Sequence, residues 1–248
     1  MSRIILLLII LGISIFIWEL AIKIFAVPEY IFPSPLIIVN VYLTEFPLLL
    51  SNLMITAEEA IIGFLIANII SISLVTMIFY ARKAENIIIP LAVTLKTIPI
   101  IALTPLLILW FGSGLPSRIA TAALICFFPA LVNLLRGIKS VDNNLLDLFK
   151  IYNSPKYTLL RLLLIPSTLP YLFSSLKISS SLAVVGALVG EFIGSNKGLG
   201  FLILTNYYTS NTAMVFAAVI LSSLLGIFLY YILHYIENRK ITWASPID

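Results

Sequence analysis

Charge is scarce in this sequence. Only 10% of its 248 residues are Asp, Glu, Lys or Arg, against about 25% in an ordinary soluble domain. The shortfall leaves too little polar surface to solvate a globule of this length. Cysteine and histidine are rarer still, with one of each, Cys126 and His234. A lone cysteine excludes an intramolecular disulfide and a cysteine-only metal site. A lone histidine leaves no histidine-based metal or catalytic cluster within the chain. No GxxxxGK[ST] run is present, so the chain lacks the glycine-rich loop that cradles nucleotide phosphates. No serine stands in a GxSxG-type context, no long polar linker divides the chain, and no internal repeat is visible. No cofactor or metal is expected, and the net charge of +4 reads as membrane topology, with no nucleic-acid role.

Hydrophobic residues make up 61% of the chain, in long continuous runs. A transmembrane β-barrel would alternate over roughly ten-residue segments. The expected fold class is therefore all-α, a polytopic protein of the lipid bilayer with about six transmembrane helices at about 20 residues each. The runs lie at about 4–25, up to Tyr80, Asn86–Phe111, Arg118–Leu135, Thr168–Ile193 and Ala213–Ile236. The first exceeds a signal-peptide core and has no small-residue cleavage site after it. VPEYIFPSP at 27–35 reads as a loop and 36–50 as a helix near the interface. GSGLPS (112–117) and GSNKGLG (194–200) read as tight loops.

Basic residues set the orientation. Arg3, Arg82, Lys83, Arg136, Lys139, Lys150, Lys156, Arg161, Arg239 and Lys240 fall on one side if the spans alternate; Lys23, Arg118 and Lys197 fall on the other. Both termini and the polar stretch 140–166 are expected in the cytoplasm, as in a multi-pass plasma-membrane protein.

That stretch, SVDNNLLDLFKIYNSPKYTLLRLLLIP, reads as two short helices around a hinge. Asp142 is an N-cap for a helix to about Tyr152, with Leu145, Phe149 and Tyr152 on one face and Leu146, Leu148 and Ile151 widening it. Asn153 suits the left-handed residue that ends a helix. Ser154 and Pro155 read as the N-cap and first residue of a second helix, which carries Lys156 and Arg161 and stops near Pro166. By itself, an amphipathic helix of this kind rests on headgroups or its own bundle, or docks into a partner's groove.

The stretch resembles the cytoplasmic loop of the permease subunits of binding-protein-dependent ABC importers, in the nitrate/sulfonate/taurine branch. Their pattern is Glu-Ala-Ala, three residues, Gly, nine residues, Ile-x-Leu-Pro. Asp147, Leu148 and Phe149, then Asn153, then Leu163, Ile165 and Pro166 stand at those positions. The acid is shortened, Asn replaces Gly, and Leu-Phe replaces Ala-Ala. FPSP at 32–35, IPIIALTPLLILWFGSG at 98–114, VDNNLLDL at 141–148 and EFIGSNKGLGFLI at 191–203 are similar to further family segments in the same order.

The resemblance implies a single permease domain over 1–248, with a coupling loop at 137–166. It implies a second permease copy, an ATP-binding cassette subunit that hydrolyses ATP in place of this non-catalytic chain, and an extracytoplasmic solute-binding protein. The ATPase-coupling residues would be Leu145, Asp147, Leu148, Phe149, Tyr152, Asn153 and Pro166. The transported solute would be small and anionic, like nitrate, a sulfonate or taurine. Candidate pathway residues are Lys96 and Lys177, charges within spans, Pro99 and Pro105, which break a span, and Glu191, a gate or a loop anchor. Snorkelling is the structural reading of both lysines. Thr56-x-x-Glu59 reads as a capping box, and Gly198 and Gly200 as residues for a tight re-entry. An ion-gradient-driven secondary transporter is the alternative, and would call for inverted repeats or an acid–base set at mid-membrane. A membrane-embedded enzyme and a channel are weaker rivals, lacking a reactive cluster and a charged pore ring.

Overall fold

A computed structural model of the protein describes residues 2–241, with the side chains of residues 2–4, 7, 8 and 11 outside that description. The expected cytoplasmic placement of the termini and of the Arg3 side chain therefore falls outside the described residues. Helices dominate the rest, as expected of an all-α membrane protein. Helix α1 spans Ser2–Ile24 and α2 spans Pro35–Thr44, opened by the Ser34 side chain accepting from the Ile37 N–H. Helix α3 (Phe46–Tyr80) is followed by α4 (Glu85–Thr97), α5 (Ile100–Phe111) and α6 (Leu115–Lys139). The short α7 (Asn143–Ile151) and α8 (Lys156–Leu159) lead into α9 (Ile165–Gly194), then α10 (Leu199–Tyr208) and α11 (Thr212–Lys240).

Among the described residues, four helices are long and apolar enough to cross a bilayer: α3, α6, the continuous Lys156–Gly194 helix, and α11. The expected third span, Asn86–Phe111, is not one straight helix. It breaks between α4 and α5, and the axis turns by 102°. Pro99 is the cause: its ring favours extended backbone at the residue before it, and Ile98 is extended (ψ 125°), as is Pro99 itself (ψ 124°). The expected interfacial helix 36–50 ends at Thr44; Glu45 separates it from α3, whose first turn holds Pro47. With 35 residues, α3 rises about 52 Å and overshoots a hydrocarbon core of about 30 Å.

Helices α3, α6 and α9 form the centre, and α6 lies closest to α9. Small side chains permit this. A Cβ added at Gly186 would stand 2.6 Å from the Ala122 Cα, and one at Gly63 would stand 2.6 Å from the Ala122 Cβ. Ala60, Ala67, Ala130, Ala183 and Ala187 are fully buried along the same seams. Lipid gives little hydrophobic drive between helices, so close backbone approach and polar links hold them. The links are Asn68 Nδ2 donating to Ser179 Oγ (3.3 Å) and Ser71 Oγ donating to the Phe127 carbonyl (3.2 Å). Cys126 is buried here as filler, its Sγ 3.1 Å from the Ser179 carbonyl. Large apolar residues face outward instead, including Ile101, Leu109 and Trp110.

Candidate functional site

At the end of the bundle where α6 leaves off, α7 shares an apolar cluster with Phe79 of α3 and with Leu163 and Leu164 just ahead of α9. Asp142 caps it, its carboxylate accepting from the Asn144 N–H at 2.9 Å. Asn153 ends it in the left-handed region (φ 46°). The Ser154 N–H donates to the Phe149 carbonyl and the Asn153 N–H to the Lys150 carbonyl, the paired bonds of a Schellman motif. Ser154 thus closes the first helix and does not cap the second: Pro155 occupies that place, with no side-chain cap. Nor does the second helix stop at Pro166. It widens to a π turn over Leu160–Leu164 and continues as α9 to Gly194. A wider turn ahead of Pro166 relieves the clash of its ring with the carbonyl four residues back.

The apolar residues of α7 divide between two faces. Leu146 and Phe149 pack inward against the cluster of Val141, Leu163 and Leu164. Leu145 and Leu148 are about half exposed (44% and 45%), and Ile151 and Tyr152 about three-quarters (79% and 75%). Asp147 and Lys150 pair at 2.8 Å beside them, both exposed. The outward apolar strip is therefore Leu145, Leu148, Ile151 and Tyr152. Phe149 anchors the helix to its own bundle.

The α4–α5 break lines a cavity of about 340 Å³ against α6. Lys96 and Pro99 lie at its wall with Leu103, Phe127, Phe128 and Leu182. Lys96 Nζ sits 4.4 Å above the centre of the Phe128 ring, a cation–π contact that holds the charge over an apolar wall. Pro105 lies farther along α5 and does not line this cavity. Lys177 is also elsewhere, bound to Glu237 of α11 at 2.6 Å.

Glu191 belongs to a buried polar cluster at the opposite end of the bundle from α7. Thr56 Oγ1 donates to Glu191 Oε1 (2.7 Å), and the Gly200 N–H donates to Glu191 Oε2 (2.5 Å). Asn52 Oδ1 accepts from the Gly198 N–H at 2.6 Å, and Thr56 Oγ1 accepts from the Leu199 N–H at 2.9 Å. Glu191 is thus a loop anchor, fixing the turn 195–200 onto α3. Gly198 has φ 101°, and a Cβ there would stand 2.2 Å from the Glu191 carboxyl carbon. A tight turn is thus present at Gly198 and Gly200, where a Cβ on either would crowd Glu191.

Glu59, fully buried, has Oε1 2.8 Å from Arg118 Nη1, an ion pair by distance without hydrogen-bond alignment. Arg118 also donates to Ser195 Oγ at 2.5 Å. Thr56 and Glu59 lie ten and more residues inside α3, so they form no capping box. Thr56 instead bridges two helices, and Glu59 takes a distant arginine. Sequence reading missed Asn52 and Arg118 as members of this cluster. Its partners are up to 146 residues apart, and the local signal is limited to polar residues scattered through an apolar span, Asn52, Thr56, Glu58 and Glu59.

Residues 69–242 match the family described as binding-protein-dependent transport system inner membrane component. The chain is 36% identical over 231 residues to the formylaminopyrimidine transport permease protein ThiX of Halalkalibacterium halodurans, covering 92% of each. It is 29% identical to the putative aliphatic sulfonates transport permease protein SsuC of Bacillus subtilis, over 96% of this chain and 87% of that one. In fold it is similar to a chain of the inward-facing MetNI methionine ABC transporter, with a TM-score of 0.65 at 18% identity. That likeness covers 77% of this chain and 94% of the other.

Proposed function

The chain belongs to the family of binding-protein-dependent transport system inner membrane components and is a permease subunit of an ABC importer; from that premise we propose that α7 is the helix by which a partner ATP-binding cassette subunit drives it. One observation carries the proposal. A short, doubly capped helix presents four adjacent apolar side chains to solvent at the end of a membrane bundle. Leu145, Leu148, Ile151 and Tyr152 would seat in a groove of the ATPase, the helix-in-groove mode of recognition. Asp147 would orient the fit, Asn153 holds the turn, and Phe149 ties the helix to the bundle. Pro166 stands at the π turn joining this unit to α9. A pull on α7 would pass through that continuous helix as a rigid-body movement. The described helices act in this reading as one permease domain with its coupling loop within 137–166. Leu145→Asp with Leu148→Asp is expected to abolish co-purification of the ATPase while membrane insertion and the monodisperse elution profile stay unchanged. Undiminished co-purification would remove α7 from the coupling role.

The same reading places the protein in the plasma membrane with α7 and both termini in the cytoplasm. It pairs the chain with a second copy of itself and supplies solute from an extracytoplasmic binding protein. The pathway runs by the α4–α5 break, where Lys96 and Pro99 meet the cavity; Pro105 lies off that wall, farther along α5, and Lys177 and Glu191 contribute as structural supports. A small anionic solute of the nitrate, sulfonate or taurine type is supported by the likeness to SsuC and by the Lys96 ammonium. A second reading, a small pyrimidine, is favoured by the greater identity to ThiX and by Phe127 and Phe128 on the cavity wall. Lys96→Gln separates them. An anion that needs Lys96 is expected to lose about tenfold in uptake, roughly 1.4 kcal/mol, whereas uptake of a neutral pyrimidine stays within twofold. Equal uptake of sulfonate by both forms would end the anionic reading.

A further inference from the structure

Two cavities meet where α3 and α6 leave the membrane on the α7 side. The first, about 230 Å³, is an apolar groove whose wall includes Ile72, Leu169 and Leu172. The second, about 600 Å³, is polar at its mouth, with Arg82, Lys139, Lys156 and Glu85. Val75, Ile138 and Leu164 line both, so the two adjoin across those side chains. An apolar groove thus lies directly beside a pocket that carries three basic side chains and one acid.

The charges in the mouth do not balance. Glu85 is bound to Lys139. Among the described residues Lys156 donates only to the Tyr80 carbonyl, at 3.3 Å. Among the described residues, neither Arg82 nor Lys156 has a carboxylate within ion-pair distance. Two cations therefore line one pocket beside an apolar groove, with no acid at ion-pair distance from either among the described residues. Such a pair is suited to a phosphate that carries a hydrocarbon tail. A soluble anion would use the mouth and leave the groove empty.

The geometry points to a binding site for one anionic phospholipid, its phosphate between Arg82 and Lys156 and an acyl chain along the groove beside Leu169. The site bridges the end of α3 to Leu160 and Leu164 of the π turn, the segment that joins the α7 loop to α9. A bound lipid would brace that joint. This inference needs only the membrane placement of the chain and is independent of the solute.

The test is native mass spectrometry of the permease complex from nanodiscs of phosphatidylcholine, with and without phosphatidylglycerol. The unaltered protein is expected to retain phosphatidylglycerol in preference to phosphatidylcholine. Each basic residue at an anionic surface contributes a factor of roughly five. Arg82→Gln with Lys156→Gln should therefore lower retention about thirtyfold. Leu169→Trp, which fills the groove and leaves the charges in place, should also lower it. Equal retention of the two lipids by the unaltered protein overturns the proposal, whether or not the variants assemble. So does retention that survives the double substitution. Loss in the double variant without loss in Leu169→Trp would also overturn it, because the mouth then holds a phosphate without a chain, from a headgroup or free in solution. Exclusion of lipid in complexes with the ATPase, and retention in the permease alone, would identify the pocket as part of the protein interface and overturn the proposal equally.

Discussion

Arg118 reaches Glu59 at 2.8 Å across a site where Glu59 has no exposure to solvent. Single residues in this cluster carry unusual weight, because a buried charge that loses its counter-charge keeps the whole desolvation penalty. Arg118→Ala is expected to destabilise the protein by about 3–5 kcal/mol, read as a lower thermal unfolding midpoint of the purified chain in detergent. Adding Glu59→Gln removes the stranded charge, so the double variant should recover part of the loss. If Arg118→Ala unfolds at the original temperature, the ion pair contributes nothing to stability. Residues that looked alike in the sequence part company at this scale. Lys177 is neutralised by Glu237, whereas Lys96 stands at the cavity wall over Phe128. Both are charges within apolar runs, and only their neighbours distinguish them.

Helix α7 shows how much an element's ends control. Its capping was legible from Asp142 and Asn153, because a cap is made by side chains within a few residues of the backbone groups it serves. The direction of its faces was not. Phe149 turns inward because Val141, Leu163 and Leu164 offer it a place, and those residues lie on either side of the hinge. Asn153 holds φ 46°, where a β-branched residue is strained by about 1–2 kcal/mol. Asn153→Gly should leave permease-stimulated ATP hydrolysis within twofold. Asn153→Val should reduce it about tenfold by misdirecting the chain after α7. Equal activity of the two variants would show that this turn does not set the pose of the helix. The π turn at 160–164 likewise escaped the sequence reading, since a proline ordinarily marks a boundary. Here the helix absorbed it by widening.

For the molecule as a whole, the broken α4–α5 segment is the feature that makes a path conceivable. Backbone that departs from a helix at membrane depth is tolerated where it lines a cavity, and the cavity of about 340 Å³ lies at this break. Leu103→Trp would fill much of that space from α5. Uptake is expected to fall at least about tenfold, roughly 1.4 kcal/mol, with co-purification of the ATPase unchanged. Uptake at the original rate would place the path elsewhere in the bundle.

The sequence alone determined the helical class, the membrane setting, most span positions and the caps of α7. These depend on the hydrophobicity of continuous runs and on hydrogen bonds between residues a few positions apart. Its ordered motifs also led to the family. Only the tertiary structure decided the 102° turn at Pro99, the inward seat of Phe149, and the cluster joining Asn52, Thr56, Glu59, Arg118 and Glu191. A proline permits a kink of many angles, and the packing of α4 and α5 around α6 selects one. The polar cluster joins helices whose residues are far apart in the chain, and no local rule indicates which distant arginine will meet which buried acid.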